Sequence, residues 1–272
     1  MLELAIYIYH VVHFPKEHDM PITRNGPVPY CSVLIFNPYR RYEAWRYITY
    51  MFVHIGIDHF VFNMIMQILV GVFLEMEQEG WKGSFKIALV YMSGVIAGSL
   101  GQSLTEPGIY IAGASGGVYA LIAAHLSTLV LNWNEDDEIQ MPKKVVQFGL
   151  VKWIRVVFIA VLVIYDTTIQ ILGHLGYLAG DNNTSVMGHL CGALAGLTVG
   201  IFVLDNRRVE TWESWVQWIS LTVFTMTLVF AIIWNIWAND WMCGTEAPYC
   251  IFPESDYTVV NDEKGNCPHY EA

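Results

Sequence analysis

Charge is scarce in this sequence. Asp, Glu, Lys and Arg make up 14% of residues against 54% hydrophobic, and the balance is acidic, with 25 Asp and Glu to 14 Lys and Arg and a net charge of −11 at pH 7. So few cations offer little to a phosphate backbone, which argues against nucleic acid as a partner. There is no P-loop, no dinucleotide-binding glycine fingerprint, no Cys-x-x-Cys pair and no EF-hand loop, so neither a cofactor nor a metal is expected. Regular polar spacing is missing as well. Residues 85–103 and 215–238 carry none of the 3.6-residue polar periodicity that a water-facing helix of a soluble domain shows.

What is present are apolar blocks long enough to cross a bilayer, which define an all-α polytopic membrane protein. Residues 1–14 are apolar but short of the roughly 20 residues a spanning helix needs, and read as a partial, truncated first span. They have no basic start and no small-residue cleavage site, so a signal peptide fits them less well than a missing upstream piece. Residues 15–57 form an external loop, rich in Pro, Gly, Asn and Arg at first, with Trp45-Arg46 suited to the membrane interface. Further spans are expected over about 58–76, 85–103, 115–132, 153–172 and 186–204, so that a transmembrane core covers 58–204. Residues 205–238 hold a cytoplasmic loop and a seventh span with Trp at both ends, and 239–272 a polar tail.

Basic residues set the orientation. Lys82 and Lys86, then Lys143, Lys144 and Lys152, then Arg207 and Arg208 fall in alternate loops, while the loops at 105–112 and 173–185 have neither Lys nor Arg. The basic loops are therefore assigned to the cytoplasm. The arginines ahead of Trp45 run against this count and are read as interfacial anchors. The C-terminal tail then faces the lumen or exterior with Cys31, Cys243, Cys250 and Cys267, which allow three disulfide pairings, and with overlapping glycosylation sequons at Asn182 and Asn183.

Several chemically capable residues share that outer face. Gly113-Ala114-Ser115-Gly116-Gly117-Val118-Tyr119 opens the fourth span. Glycines around a serine permit close approach to its hydroxyl, and a helix N-terminus points unpaired N–H groups at developing negative charge. The same pattern also serves plain helix packing. His189 near the start of the sixth span can act as the base a serine hydroxyl requires. His59 and Asn63, four apart on one helix face, can join the Ser115 amide as oxyanion donors, with His54 just before them. No acidic residue stands at the same level to orient His189; Tyr119, one turn below Ser115, is placed to stack on its ring. Taken singly, His54, His59 and Asn63 fit interface or packing roles. Glu75 reads as an interhelical hydrogen-bond partner near the cytoplasmic face, and Asp166 as a locally paired residue. Gly188, Gly192, Gly196 and Gly200 form a four-residue stripe against which another helix can pack.

Trp45-Arg46, His54-x4-His59-x3-Asn63, Gly113-x-Ser115-Gly116 and His189-x2-Gly192-x3-Gly196 stand in this order across about residues 40–204. In this the chain resembles the rhomboid intramembrane serine proteases, and with its seventh span and the wording of residues 91–121 their animal secretase-type branch. The resemblance implies a six-helix bundle plus that seventh span, with Ser115 as nucleophile and His189 as base. It makes His59, Asn63 and the Ser115 amide oxyanion donors, with His54 in support. Gly113 allows a close turn, and Trp45, Arg46, Glu75, Gly192 and Gly196 are structural. It further implies a secretory-pathway membrane, Golgi or plasma membrane, and single-pass membrane proteins as substrates, EGF-type growth-factor precursors among them, cleaved near the outer face to release ectodomains. Gly188 stands where many relatives have alanine. The competing class is a non-proteolytic binder or escort of client membrane helices. A transporter would need paired broken helices at the midplane, which the spans do not suggest.

Overall fold

The computed structural model describes residues 2–18, 29, 32–38, 40–78, 80–132, 145–174, 186–206, 210–242, 258–260 and 269–271. The helices, in chain order, are α1 (Leu2–His18), the short α2 (Arg46–Thr49) continued by a 3-10 turn (Tyr50–Phe52), α3 (Gly56–Glu75), α4 (Gly80–Thr105), α5 (Ser115–Leu131), α6 (Val145–His174), α7 (Val186–Val203) and α8 (Thr211–Met242). Outside this all-helical body the tail holds one small antiparallel pair, Thr258–Val260 with His269–Glu271. Among the described residues, α3, α4, α7 and α8 are long and apolar enough to cross a membrane, and α5 is a shorter apolar helix. The chain is an integral, multi-pass membrane protein. Several helices extend past the bounds expected from hydropathy: α1 continues beyond residue 14, α6 begins ahead of 153, and α4 and α8 overrun 85–103 and 215–238 at both ends. Hydropathy marks only the part of a helix that lies in hydrocarbon, whereas backbone hydrogen bonding continues into the interface.

The arrangement is built around α5, which packs against α4, α7 and α3. Its 17 residues span about 26 Å at 1.5 Å per residue. That is shorter than the roughly 30 Å hydrocarbon layer. Against lipid, apolar side chains gain little by leaving their surroundings, so close backbone packing and interhelical hydrogen bonds must hold helices together. The glycine stripe on α7 meets a matching stripe of small residues on α5. A Cβ added at Gly192 would lie 2.4 Å from the Gly116 carbonyl oxygen, one at Gly196 would lie 2.1 Å from that of Ala120, and one at Gly200 would lie 3.3 Å from Ala124. On the α4 side, a Cβ at Gly94 would come within 2.6 Å of the same Gly116 oxygen. Below this seam Met66, Val70 and Leu74 of α3 close on Val118, Leu121 and Ile122 of α5. His125 also joins the two, its Nε2 lying 2.8 Å from the Val70 carbonyl oxygen.

The loop ahead of α2 folds onto the end of the bundle where α5 begins. Phe36 and Ile111 exchange backbone hydrogen bonds of 3.1 and 3.2 Å, tying this loop to the α4–α5 connection. Arg46, half of the pair suited to the interface and structural in role, is 4% exposed. Its Nη1 donates to the carbonyls of Ser32, at 2.9 Å, and Ile35, at 2.8 Å, and its Nε to the Glu43 carboxylate. A buried guanidinium with five rigid donors suits a loop whose carbonyls lack helical partners. Trp45 remains half exposed and reaches back to the Val33 carbonyl. Near the other end of α3, Glu75 accepts a hydrogen bond from Ser84 of α4. Cys31 and the tail cysteines 243, 250 and 267, the sequons at 182–185, Lys143, Lys144, Arg207 and Arg208 lie outside the described residues, as does the side chain of Asp166.

Candidate active site

The turn before α5 is made by Gly113, whose φ of +117° is open to glycine and strained for other residues. Its amide donates to the Tyr50 carbonyl at 3.1 Å, and its missing side chain makes room for a ring: a Cβ there would lie 2.5 Å from His59 Cε1. The chain then turns directly into helix, so Ser115 occupies the first helical position. There its N–H belongs to the group of helix-start amides that have no partner within the helix.

From α7, 74 positions along the chain, His189 brings its Nε2 to 2.8 Å from Ser115 Oγ. That distance is an ordinary hydrogen bond. With Nε2 as acceptor the imidazole is neutral and carries its proton on Nδ1, the form a general base needs. Tyr119 stacks flat on the His189 ring, centroids 4.4 Å apart and planes 13° from parallel.

His59 of α3 lies against the Gly113 turn, with His54 and Asn63 beside it. Asn63 is 1% exposed and donates one amide hydrogen to the His59 carbonyl at 2.9 Å. Its second amide hydrogen is a further donor. His54 stands behind His59 with ring centroids 5.4 Å apart and edge to face, and it meets Phe60 edge-on at 5.3 Å. Both ring nitrogens of His54 are buried, and the Phe52 backbone is the polar group beside them. Burial, reinforced by the neighbouring His59, pushes its pKa down to about 3, so at neutral pH the ring is uncharged.

The residues singled out in the sequence thus fall into three places. Ser115 and His189 meet by a hydrogen bond and Tyr119 stacks on His189; His59 lies against Gly113, with His54 and Asn63 contacting His59; Arg46 and Glu75 bond elsewhere, to the Ser32–Ile35 loop and to Ser84. Gly192 and Gly196 sit in the α5–α7 seam below. Two supporting residues escaped sequence reasoning. Gln102 of α4 is fully buried, and its Oε1 accepts a 3.2 Å bond from the Gly188 amide, next to His189, while its Nε2 donates to Glu106. Tyr50 donates its hydroxyl to the Val95 carbonyl at 2.8 Å and fills the space beside Gly116 and Gly98. An amide inside an apolar span was the available signal for Gln102; nothing local marked Tyr50. Among the described residues no cluster of His, Cys, Asp and Glu has the makings of a metal site.

The helical bundle thus brings a serine hydroxyl on α5 within hydrogen-bond distance of a histidine on α7 in a membrane protein. The Rhomboid domain family model matches residues 41–206, so the chain belongs to the rhomboid family. Rhomboid-related protein 3 of Homo sapiens is 34% identical over 88% of this chain and 55% of its own length, and Rhomboid-related protein 2 of Mus musculus is 32% identical over 88% and 73%. The chain therefore spans little more than half of the former. A Caenorhabditis elegans relative, 27% identical over 82% of this chain and 58% of its own length, is named Inactive rhomboid-related protein 2.

Proposed function

We propose that this chain is an intramembrane serine endopeptidase working through a Ser115–His189 dyad. The observation that carries the reading is the 2.8 Å hydrogen bond between Ser115 Oγ and His189 Nε2. Ser115 Oγ attacks the scissile carbonyl carbon while His189 takes its proton. The carbonyl oxygen becomes an oxyanion received by the Ser115 amide, the His59 ring and the second Asn63 amide hydrogen. His189 returns the proton to the leaving nitrogen as the C–N bond breaks. It then deprotonates a water that hydrolyses the acyl ester and frees the serine.

A helical peptide hides its carbonyls in its own hydrogen bonds, so the fitting substrate is a single-pass membrane protein with a segment that unwinds easily near the outer face. Family resemblance supports growth-factor precursors of the EGF class, and the basic-loop count supports an active site turned to the lumen or exterior of a secretory-pathway membrane. Co-expression with a reporter of this class releases its ectodomain, and Ser115→Ala or His189→Ala abolishes release; equal shedding by Ser115→Ala defeats the reading. The relative named inactive favours a second reading, a binder that escorts client helices without cleaving them. A fluorophosphonate probe separates the two: labelling of wild type lost in Ser115→Ala supports the protease, and wild type that fails to label supports the escort.

A further inference from the structure

The largely outward-facing α8 is joined to α4 and α2 by a buried polar node. Most of α8 points outward, yet Asn235 on it is 6% exposed. Its Nδ2 donates to the Ala231 carbonyl of its own helix at 2.8 Å, which fixes the side chain and turns Oδ1 inward. That oxygen accepts two hydroxyls, from Ser103 of α4 and, at 3.3 Å, from Tyr47 of α2. In a membrane an amide of this kind sets helix rotation and depth, because apolar surface slides against apolar neighbours at little cost.

Both partners lead to the candidate site. Ser103 is the neighbour of Gln102, whose Oε1 receives the Gly188 amide at the start of α7, beside His189. Tyr47 meets Phe36 edge to face, centroids 4.9 Å apart, and Phe36 pairs with Ile111 in the loop that ends at Gly113. The α4 backbone between Gln102 and Ser103 is helical, so displacing one displaces the other. We propose that Asn235 is a positioning residue: through Ser103 it holds the last turn of α4, and through Gln102 that turn holds the first turn of α7 and the His189 ring. The seventh helix is then a brace on the base of the dyad.

This rests on the dyad reading above, and the test keeps the two apart. Full-length protein in bilayer nanodiscs is compared as wild type, Asn235→Leu, Ser103→Ala, Ser103→Thr and the double variant. One measurement is the rate of fluorophosphonate labelling at saturating probe; the other is amide hydrogen exchange at 186–189. Asn235→Leu slows labelling about tenfold, the scale of a small misplacement of a catalytic group. The half-saturating probe concentration stays unchanged, and exchange at 186–189 accelerates. Ser103→Ala does the same, Ser103→Thr, which keeps the hydroxyl, stays near wild type, and the double variant is no worse than either single one. Folded Asn235→Leu protein with wild-type labelling and wild-type exchange, even at a lowered melting temperature, overturns the inference, because a merely structural role moves only the melting point. Should wild type fail to label, the dyad reading falls and exchange at 186–189 alone decides the coupling: faster exchange in Asn235→Leu keeps it, unchanged exchange ends it.

Discussion

Two kinds of helix contact divide this protein. In the α4–α5–α7 seam the backbones nearly touch, and the Gly94, Gly192 and Gly196 positions have no room for even one more carbon. Around it, α1, α3 and α8 reach their neighbours through long side chains. Tyr7 stacks on Phe60 with centroids 4.4 Å apart, Gln67 donates to Tyr91 at 3.0 Å and lies 3.2 Å from Glu3, and Asn235 receives Ser103 and Tyr47. Direct backbone contact fixes distance to tenths of an ångström, while a side-chain bridge can turn about its torsions and still persist. Ser115 and His189 both spring from the seam. The residues beside them come from α3 and the loops, where adjustment is easier. The difference teaches that precision here is concentrated at one helix trio, and that the periphery contributes registry.

This division can be broken deliberately. Gly196→Val drives side-chain carbons into the Ala120 backbone, so its loss of stability falls at the upper end of the roughly 1–3 kcal/mol typical of overpacking, or beyond it. Equilibrium unfolding of the reconstituted protein measures this, and a variant as stable as wild type means that the seam tolerates added carbons. Gly113→Ala combines a strained φ of +117° with a clash against His59. It leaves the seam intact and lowers activity by about tenfold to a hundredfold, read from probe labelling in protein shown to be folded. Retained activity there means that the turn tolerates relaxation.

Acid tests the loop side. His54 has a folded pKa of about 3 against roughly 6.5 when unfolded. Between those values the unfolded chain binds the extra proton, so stability rises with pH through this window and is lost as pH falls from about 6.5 toward 3. One proton corresponds to about a tenfold change in the folding equilibrium per pH unit. His54→Asn removes that proton from the slope, and unfolding curves taken from pH 7 to pH 4.5 compare the two. Identical slopes mean that His54 does not carry the acid sensitivity. The smallest effect belongs to the periphery: Tyr7→Leu forfeits the ring stack on Phe60, worth about 0.5–1.5 kcal/mol beyond apolar contact. A penalty matching that of Gly196→Val erases the contrast between seam and rim.

How much of this is visible without coordinates differs by residue. Ser115, His189, His59 and Asn63 stand out because chemically active side chains are rare in apolar spans, and their order matches a known family pattern. The stripe of glycines at 188, 192, 196 and 200 shows its helical period directly. The partners of Arg46 are not legible in the sequence, because a long amphipathic side chain beside a Trp suits both an interface and a buried clasp. Gln102, Tyr50 and Asn235 passed unnoticed because the identity of each says nothing about a partner tens of positions away.

By itself the sequence determined that the chain lives in a bilayer, which blocks are helical, and which side chains can perform nucleophilic chemistry, since these follow from local hydrophobicity and residue type. Only the tertiary structure decided that Ser115 Oγ and His189 Nε2 meet at 2.8 Å, that Arg46 turns inward, and that α8 is bound to α4 through Asn235. The reason is that a hydrogen bond requires two groups at one distance and angle, and the backbone packing of the glycine seam, set by contacts distant in sequence, supplies that geometry.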